Sequence, residues 1–196
     1  MGEVEHVNRV NLDHPLARHV GVFGAGGKST LARAIARKWQ LVYIEIDAIQ
    51  HLPGWKMRPK DEIETIVIQH MDSSTSGWVT DHNVPFILGR AESIIVLELP
   101  FRTVFWRRLK RSLHRAWTKE LVCGINTETF KQHLASRESA ILEAWNKRKS
   151  YGIIYETLSP DIPSVADVFY IRTTRQLNQF YEAHGLSRSP KESLVH

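Results

Sequence analysis

The sequence predicts an α/β fold, a single domain built on a five-stranded parallel sheet with helices on both faces. Three observations lead there. Apolar runs rich in β-branched residues alternate with helix-length segments, an order that calls for parallel strands joined by crossover helices. The run Ile94-Ile95-Val96-Leu97-Glu98-Leu99 is nearly continuous in apolar residues, as expected of a strand covered on both faces. A glycine-rich stretch, Gly24-Ala25-Gly26-Gly27, separates the first apolar run from a helical pattern.

Residues 1–17 are polar, lack periodicity and are expected to form an N-terminal arm. Val20–Phe23 reads as the first strand, and Leu31–Ala36 continues at helical spacing. Leu41–Ile46 is the second strand, ending at Asp47. A loop with Pro53-Gly54-Trp55 and Pro59 leads to a helix over 60–72, where Ile63, Ile66, Val67 and His70 share a face. Ser73–Gly77 is a turn, Trp78–Thr80 a short strand ending at Asp81, and residues 94–99 the fourth strand. Pro100 suits the first turn of a helix to about residue 121. A loop at Cys123–Asn126 precedes a helix over 127–150, Val168–Ile171 is the last strand, and a helix spans 174–183. The tail 185–196 is expected to be loose.

The 196 residues suit one domain, 1–196, with a sizeable core. No apolar run approaches the roughly 20 residues of a membrane span. The start, Met1–His6, is acidic and polar rather than a signal peptide, so a cytoplasmic protein is expected. Cys123 is the lone cysteine, which excludes an intrachain disulfide. Cys123, His114 and His133 have no metal-site spacing and read as structural. The net charge is +5 and the pI about 9.4, compatible with anionic substrates or with nucleic acid.

Strand, glycine-rich loop ending Gly27-Lys28-Ser29-Thr30, then helix is the layout of a phosphate-binding P-loop. Backbone amides of Gly24, Ala25, Gly26 and Gly27 would turn around an anion at the positive end of the new helix. Lys28 would reach the β/γ-phosphates of ATP, and the Ser29 hydroxyl, followed by Thr30, would ligate Mg²⁺. The common spacing puts the first glycine at position 22, where this chain has Val22, so the loop is about two residues short. Asp47 and Asp81 end strands on the same edge of the sheet, where α/β proteins bind ligands.

The series Gly27-Lys28-Ser29-Thr30-Leu31-Ala32, Asp47…Pro53-Gly54-Trp55 and Trp78-Val79-Thr80-Asp81-His82-Asn83 resembles the adenylate-kinase-like topology modulation (FlaR-like) P-loop proteins. The likeness continues through Leu97–Pro100, Arg107-Arg108, Gly124–Glu128 and Ser136–Ser139 to Ile171-Arg172, covering nearly all of 18–183. It implies a three-layer, nucleoside-monophosphate-kinase-like fold that moves the γ-phosphoryl of ATP to an acceptor. This chain departs from the family in its shortened loop and in His82, where Asp-Gly-Asn is usual. By analogy, Asp81 is the candidate holder of Mg²⁺ and Asp47 the candidate base for a hydroxyl acceptor. Asp47, His51, Trp55, Asp81 and Asn83 would line the acceptor pocket, and Arg172 resembles positions near the adenine.

The helix 101–119 carries Arg102, Arg107, Arg108, Lys110, Arg111, Arg115 and Lys119, with Phe101, Phe105, Leu109 and Leu113 expected to meet the sheet. Its charges read as a solvated face, as a lid in which Arg107 and Arg111 close over the phosphates, or as a nucleic-acid track. Three functions stay open: a kinase for a nucleotide or small hydroxyl- or phosphate-bearing acceptor, a kinase for a modified base or end of nucleic acid, and a non-catalytic ATP-binding module.

Overall fold

The structure, a computed structural model, describes residues 8–52, 56–82, 85–118, 158 and 161–188. Trp55 with Pro53-Gly54, Asn83, Lys119, the loop at Cys123, His133 and the helix expected over 127–150 lie outside the described residues. In chain order the elements are β1 (Asn8–Arg9), β2 (His19–Ala25), α1 (Lys28–Trp39), β3 (Val42–Ile44) and α2 (Ile46–Gln50). A two-stranded antiparallel pair follows, β4 (His51–Leu52) and β5 (Lys56–Met57), then α3 (Lys60–Ser73), β6 (Trp78–Thr80) and α4 (Pro85–Leu88). The remainder is β7 (Ser93–Glu98), α5 (Phe101–Thr118), β8 (Asp167–Ile171) and α6 (Thr174–Ala183).

The main sheet runs β1-β8-β7-β2-β6-β3, and every neighbouring pair is parallel. From β2 the chain first builds towards one edge, through β3 and β6, and then crosses to β7 and β8. This places the point where the order reverses beside β2, so a crevice is expected outside its carboxyl end. Alternation along the central strands divides the core in two. Ile95 and Leu97 face α1 and α6, and Val104 of α5 joins them. Ile94 and Val96 face the opposite cluster, which holds Ile46 of α2, Val67 and Met71 of α3, and Ile87 and Leu88 of α4. Both faces are thus covered, which is why β7 is buried at every residue.

The five expected strands are all present, and the sheet has a sixth. The N-terminal segment is not a free arm from residue 8 onward. Asn8 and Arg9 pair with Asp167 and Val168, and Val10, Leu12 and Leu16 pack against the core. Asn8 Nδ2 donates to Asp167 at 2.7 Å, and His14 lies 3.1 Å from the same carboxylate. Two paired residues are too few to register as periodicity.

The second strand ends at Ile44, not at Ile46, because a short helix begins at Ile46, with the amides of Ala48 and Ile49 bonded to the Glu45 carbonyl. Ile46 is apolar because α2 buries it, at 2% exposure, and an apolar residue there serves a strand or a buried helix equally. The start of the tail is also tied down. Leu186 packs on the core, Leu186 N–H donates to Tyr181 O at 2.8 Å, and Arg37 reaches Ser187 O at 3.4 Å. Among the described side chains of α5, Val104 reaches the core while Phe101, Phe105 and Leu109 are only half-buried, and that of Leu113 lies outside the description. No described helix is long and apolar enough to cross a membrane.

Candidate functional site

The site begins where β2 ends. Gly24 lies opposite Leu97 and Ala25 opposite Glu98 in the β2–β7 ladder. Gly24 has φ +99°, and a Cβ there would fall 2.0 Å from the Leu97 carbonyl oxygen, so the loop leaves the sheet only because this residue has no side chain. Gly27 is the N-cap of α1 with φ +140° and makes no side-chain capping bond. Lys28, Ser29 and Thr30 then occupy the first turn, whose amides have no intrahelical acceptor and whose dipole favours an anion. A backbone shaped by positive φ and an uncapped helix end fit a phosphate group.

Two neighbouring elements bring acidic and basic groups to this loop. Asp47 stands in the first turn of α2. His82 Nδ1, just past β6, lies 3.2 Å from Asp47 Oδ1, and His51 Nδ1 donates to the Asp47 carbonyl at 2.8 Å. The Asp47 carboxyl is held below its usual range, first by the His82 hydrogen bond and then by the charges of His82, Lys28 and His51, against the opposing effect of burial. The Lys28 ammonium and the Asp47 carboxylate therefore share one field. Asp81, the residue before His82, accepts the Tyr43 hydroxyl at 3.1 Å. Burial and the Asp81 charge push the Tyr43 phenol well above its ordinary value, which keeps it a donor.

Arg107 comes to the loop from the other side. Its Nη1 donates to the Gly26 carbonyl, and burial, followed by the nearby Arg188 charge, lowers its pKa. The expected lid residue thus grips the loop backbone itself. Arg111 lies one turn further along α5, and its side chain, like those of Arg108 and His114, is outside the description. Arg172, directly after β8, places its guanidinium 5.7 Å from the centre of the Tyr170 ring, with Arg9 at 5.1 Å.

The charges of Lys28 and His51 both act on the Asp47 carboxyl, and His82, the residue after Asp81, lies in hydrogen-bond contact with it. Four participants went unassigned in the sequence reading. His82 stood out only as a departure from Asp-Gly-Asn and is in fact the partner of Asp47. Tyr43 was hidden inside a strand pattern. Glu98, only 5% exposed, accepts the Tyr170 hydroxyl and pairs in register with Ala25 of the loop. Burial and the Glu98 bond push the Tyr170 phenol up to about 12. An acid inside an otherwise apolar strand was the available signal for Glu98. Arg188, stacked 4.5 Å from the Tyr181 ring, fell in the segment expected to be loose.

Mg²⁺ is commonly held by one or two protein oxygens together with substrate phosphates. Ser29, in the first turn of α1, and Asp81, just past β6, are the oxygen donors that could take such a part, and among the described residues no group of three or more His, Cys, Asp or Glu side chains forms a metal cluster.

No family model matches the chain, and no curated protein matches it. Among solved structures it is similar to the crystal structure of TT1252 from Thermus thermophilus at 15% identity, with 87% of this chain and 96% of that chain covered. The TM-score is 0.41, too loose a likeness to carry a functional argument.

Proposed function

We propose that the chain is an ATP-dependent phosphotransferase that moves the γ-phosphoryl of ATP to a nucleotide or another small hydroxyl- or phosphate-bearing acceptor. One observation carries the reading: a carboxylate, Asp47, is fixed by His82 within the field of Lys28 at the open N-terminus of α1. A phosphate loop used only for binding has no need of a carboxylate positioned beside its lysine. Phosphoryl transfer needs both charge neutralisation and a group that orients or deprotonates the acceptor.

In this reading Lys28 and the amides from Gly24 to Thr30 hold the phosphates. Mg²⁺, bound through Ser29 with Asp81 behind it, would supply the remaining neutralising charge. Asp47 Oδ1 is engaged by His82, which leaves Oδ2 as the oxygen that takes the acceptor proton. Arg107 keeps Gly26 in place, and Arg107 with Arg111 is the candidate pair for charge developing on the transferred group. His51, Trp55 and Asn83 belong to the acceptor side, and Arg172 to the base of the donor.

The test is calorimetry of ATP binding for the parent and Lys28→Ala, beside a screen of radiolabelled γ-phosphoryl transfer over nucleosides, nucleotides and small metabolites. Loss of the positioned charge should lower turnover on the order of 10³-fold. Equal affinity and equal turnover in the variant would overturn the assignment. ATP binding by the parent without transfer to any acceptor would reduce the protein to a binding module.

A further inference from the structure

The face of α5 turned away from the phosphate loop has a chemistry that phosphoryl transfer does not use. Between Phe101 and Thr118 the helix carries six arginines and lysines and no aspartate or glutamate, more positive charge than the net +5 of the whole chain. A helix charged only for solubility would mix signs, since opposite charges at i and i+4 stabilise it. Arg102 also sits in the first turn, where the helix dipole disfavours a cation. Among the described side chains Val104 is fully buried, Phe101, Thr103, Phe105 and Leu109 are half-buried, and Arg107 grips the Gly26 carbonyl. Arg102, Trp106 and Lys110 are exposed, Trp106 at 56%. Spaced at i, i+4 and i+8, they form one stripe opposite Val104, with a cation about 6 Å along the axis on each side of the indole.

We propose that this stripe is a docking surface for single-stranded nucleic acid, with a base stacked on Trp106 and flanking phosphates on Arg102 and Lys110. Charge complementarity selects a polyanion, and the exposed ring between the cations selects one with aromatic faces. A membrane surface would need a continuous apolar face, whereas in this stripe a single indole stands between two cations. The proposal goes beyond phosphoryl transfer and stands or falls separately from it, because the stripe is distinct from the loop that Arg107 contacts.

The experiment is fluorescence anisotropy of a labelled oligothymidylate with the full chain across a salt series, for the parent, Trp106→Ala, Trp106→Phe, Arg102→Gln, Lys110→Gln and, as a control cation on α1, Lys38→Gln. Trp106→Ala should bind at least about fivefold more weakly, and Trp106→Phe should retain most of the affinity. Each of Arg102→Gln and Lys110→Gln should flatten the log–log salt slope by about 0.7, and Lys38→Gln should leave it alone. The proposal is overturned if the parent fails to bind the oligonucleotide at low salt. It is equally overturned if Trp106→Ala binds like the parent, or if vesicles of phosphatidylserine and phosphatidylcholine bind as tightly with the same dependence on Trp106.

Discussion

Two glycines of the phosphate loop do different work, and substituting each by alanine separates stability from binding. At Gly24 a Cβ would stand 2.0 Å from the Leu97 oxygen, 2.7 Å from its carbon and 3.0 Å from its nitrogen. All three are backbone atoms of the neighbouring strand β7, so nothing can rotate aside. Relief requires β2 and β7 to separate in the middle of the sheet. Strain at positive φ costs about 1–3 kcal/mol and forced overpacking about as much again. A loss of about 3–5 kcal/mol is expected, a large share of the 5–15 kcal/mol typical of a domain. For a chain of this length that lowers the melting temperature by roughly 6–20 °C. At Gly27 the nearest atom to an added Cβ is Arg107 Nη1, 3.5 Å away, an ordinary contact. Gly27→Ala therefore suffers only the strain of φ +140°, about 1–3 kcal/mol. Gly27 caps the helix that would hold the anion, so reshaping it should weaken ADP binding while the fold survives. Urea denaturation and thermal melting rank the two variants for stability, and calorimetry measures ADP on Gly27→Ala. Gly24→Ala melting like the parent, or Gly27→Ala proving the less stable of the two, would refute the reasoning.

The Asp47–His82 pair and a buried histidine provide the other tests. Asp47→Asn should reduce transfer by about 10²–10⁴ while ATP binding persists, and full turnover would leave Asp47 only a loop-ordering role. His82→Ala should let the Asp47 carboxyl rise back towards 3.8, read by carbon-detected NMR titration. A pKa depressed in the folded state gives stability present above the unfolded value and lost as pH falls through the folded one. This contribution should shrink in His82→Ala to what Lys28 and His51 supply, and Asp47 titrating identically in both proteins would refute the pairing. His184 is 8% exposed, and its ring lies 3.0 Å from the Leu12 carbonyl oxygen. Burial lowers its pKa from 6.5, so below that pH the unfolded chain binds the extra proton and stability falls on acidification. His184→Gln keeps an N–H donor but cannot titrate, and its melting temperature should depend less on pH between 7 and 5 than the parent's; equal slopes would exclude the role.

What could be read in the sequence divides along the range of the interactions that create it. The glycine loop, the buried strand at 94–99 and the helix at 60–72 are encoded by neighbouring residues, through period, turn chemistry and β-branching, and each stands where the sequence placed it. The errors fall where a short segment's state depends on something distant. Asn8 and Arg9 are a strand only because β8 offers a free edge more than 150 residues later. Ile46 reads as strand because burial, not backbone state, selects its side chain. On α5 the regular line Phe101, Phe105, Leu109 suggested the inward face, yet the helix sits against the loop through Val104, with the Phe101 and Phe105 rings 5.7 Å apart at the margin.

The site follows the same division. The position of Lys28, Ser29 and Thr30 at a helix start was legible because a glycine loop followed by a helical pattern is a local feature. Asp81 was legible as a strand-end acid, whereas Asp47 stands in the first turn of α2, and the partners of neither were legible. The hydroxyl of Tyr43 and the ring of His82 reach them across 38 and 35 residues of sequence. Such pairings give the two carboxylates different partners. Asp81 is engaged by a phenol rising from the adjacent strand, whereas Asp47 is engaged by a histidine within reach of the Lys28 charge. Two aspartates that look alike as strand-end acids in the sequence therefore have different surroundings in the fold. Under the proposed phosphoryl transfer, that difference favours Asp47 over Asp81 as the residue to test against the acceptor.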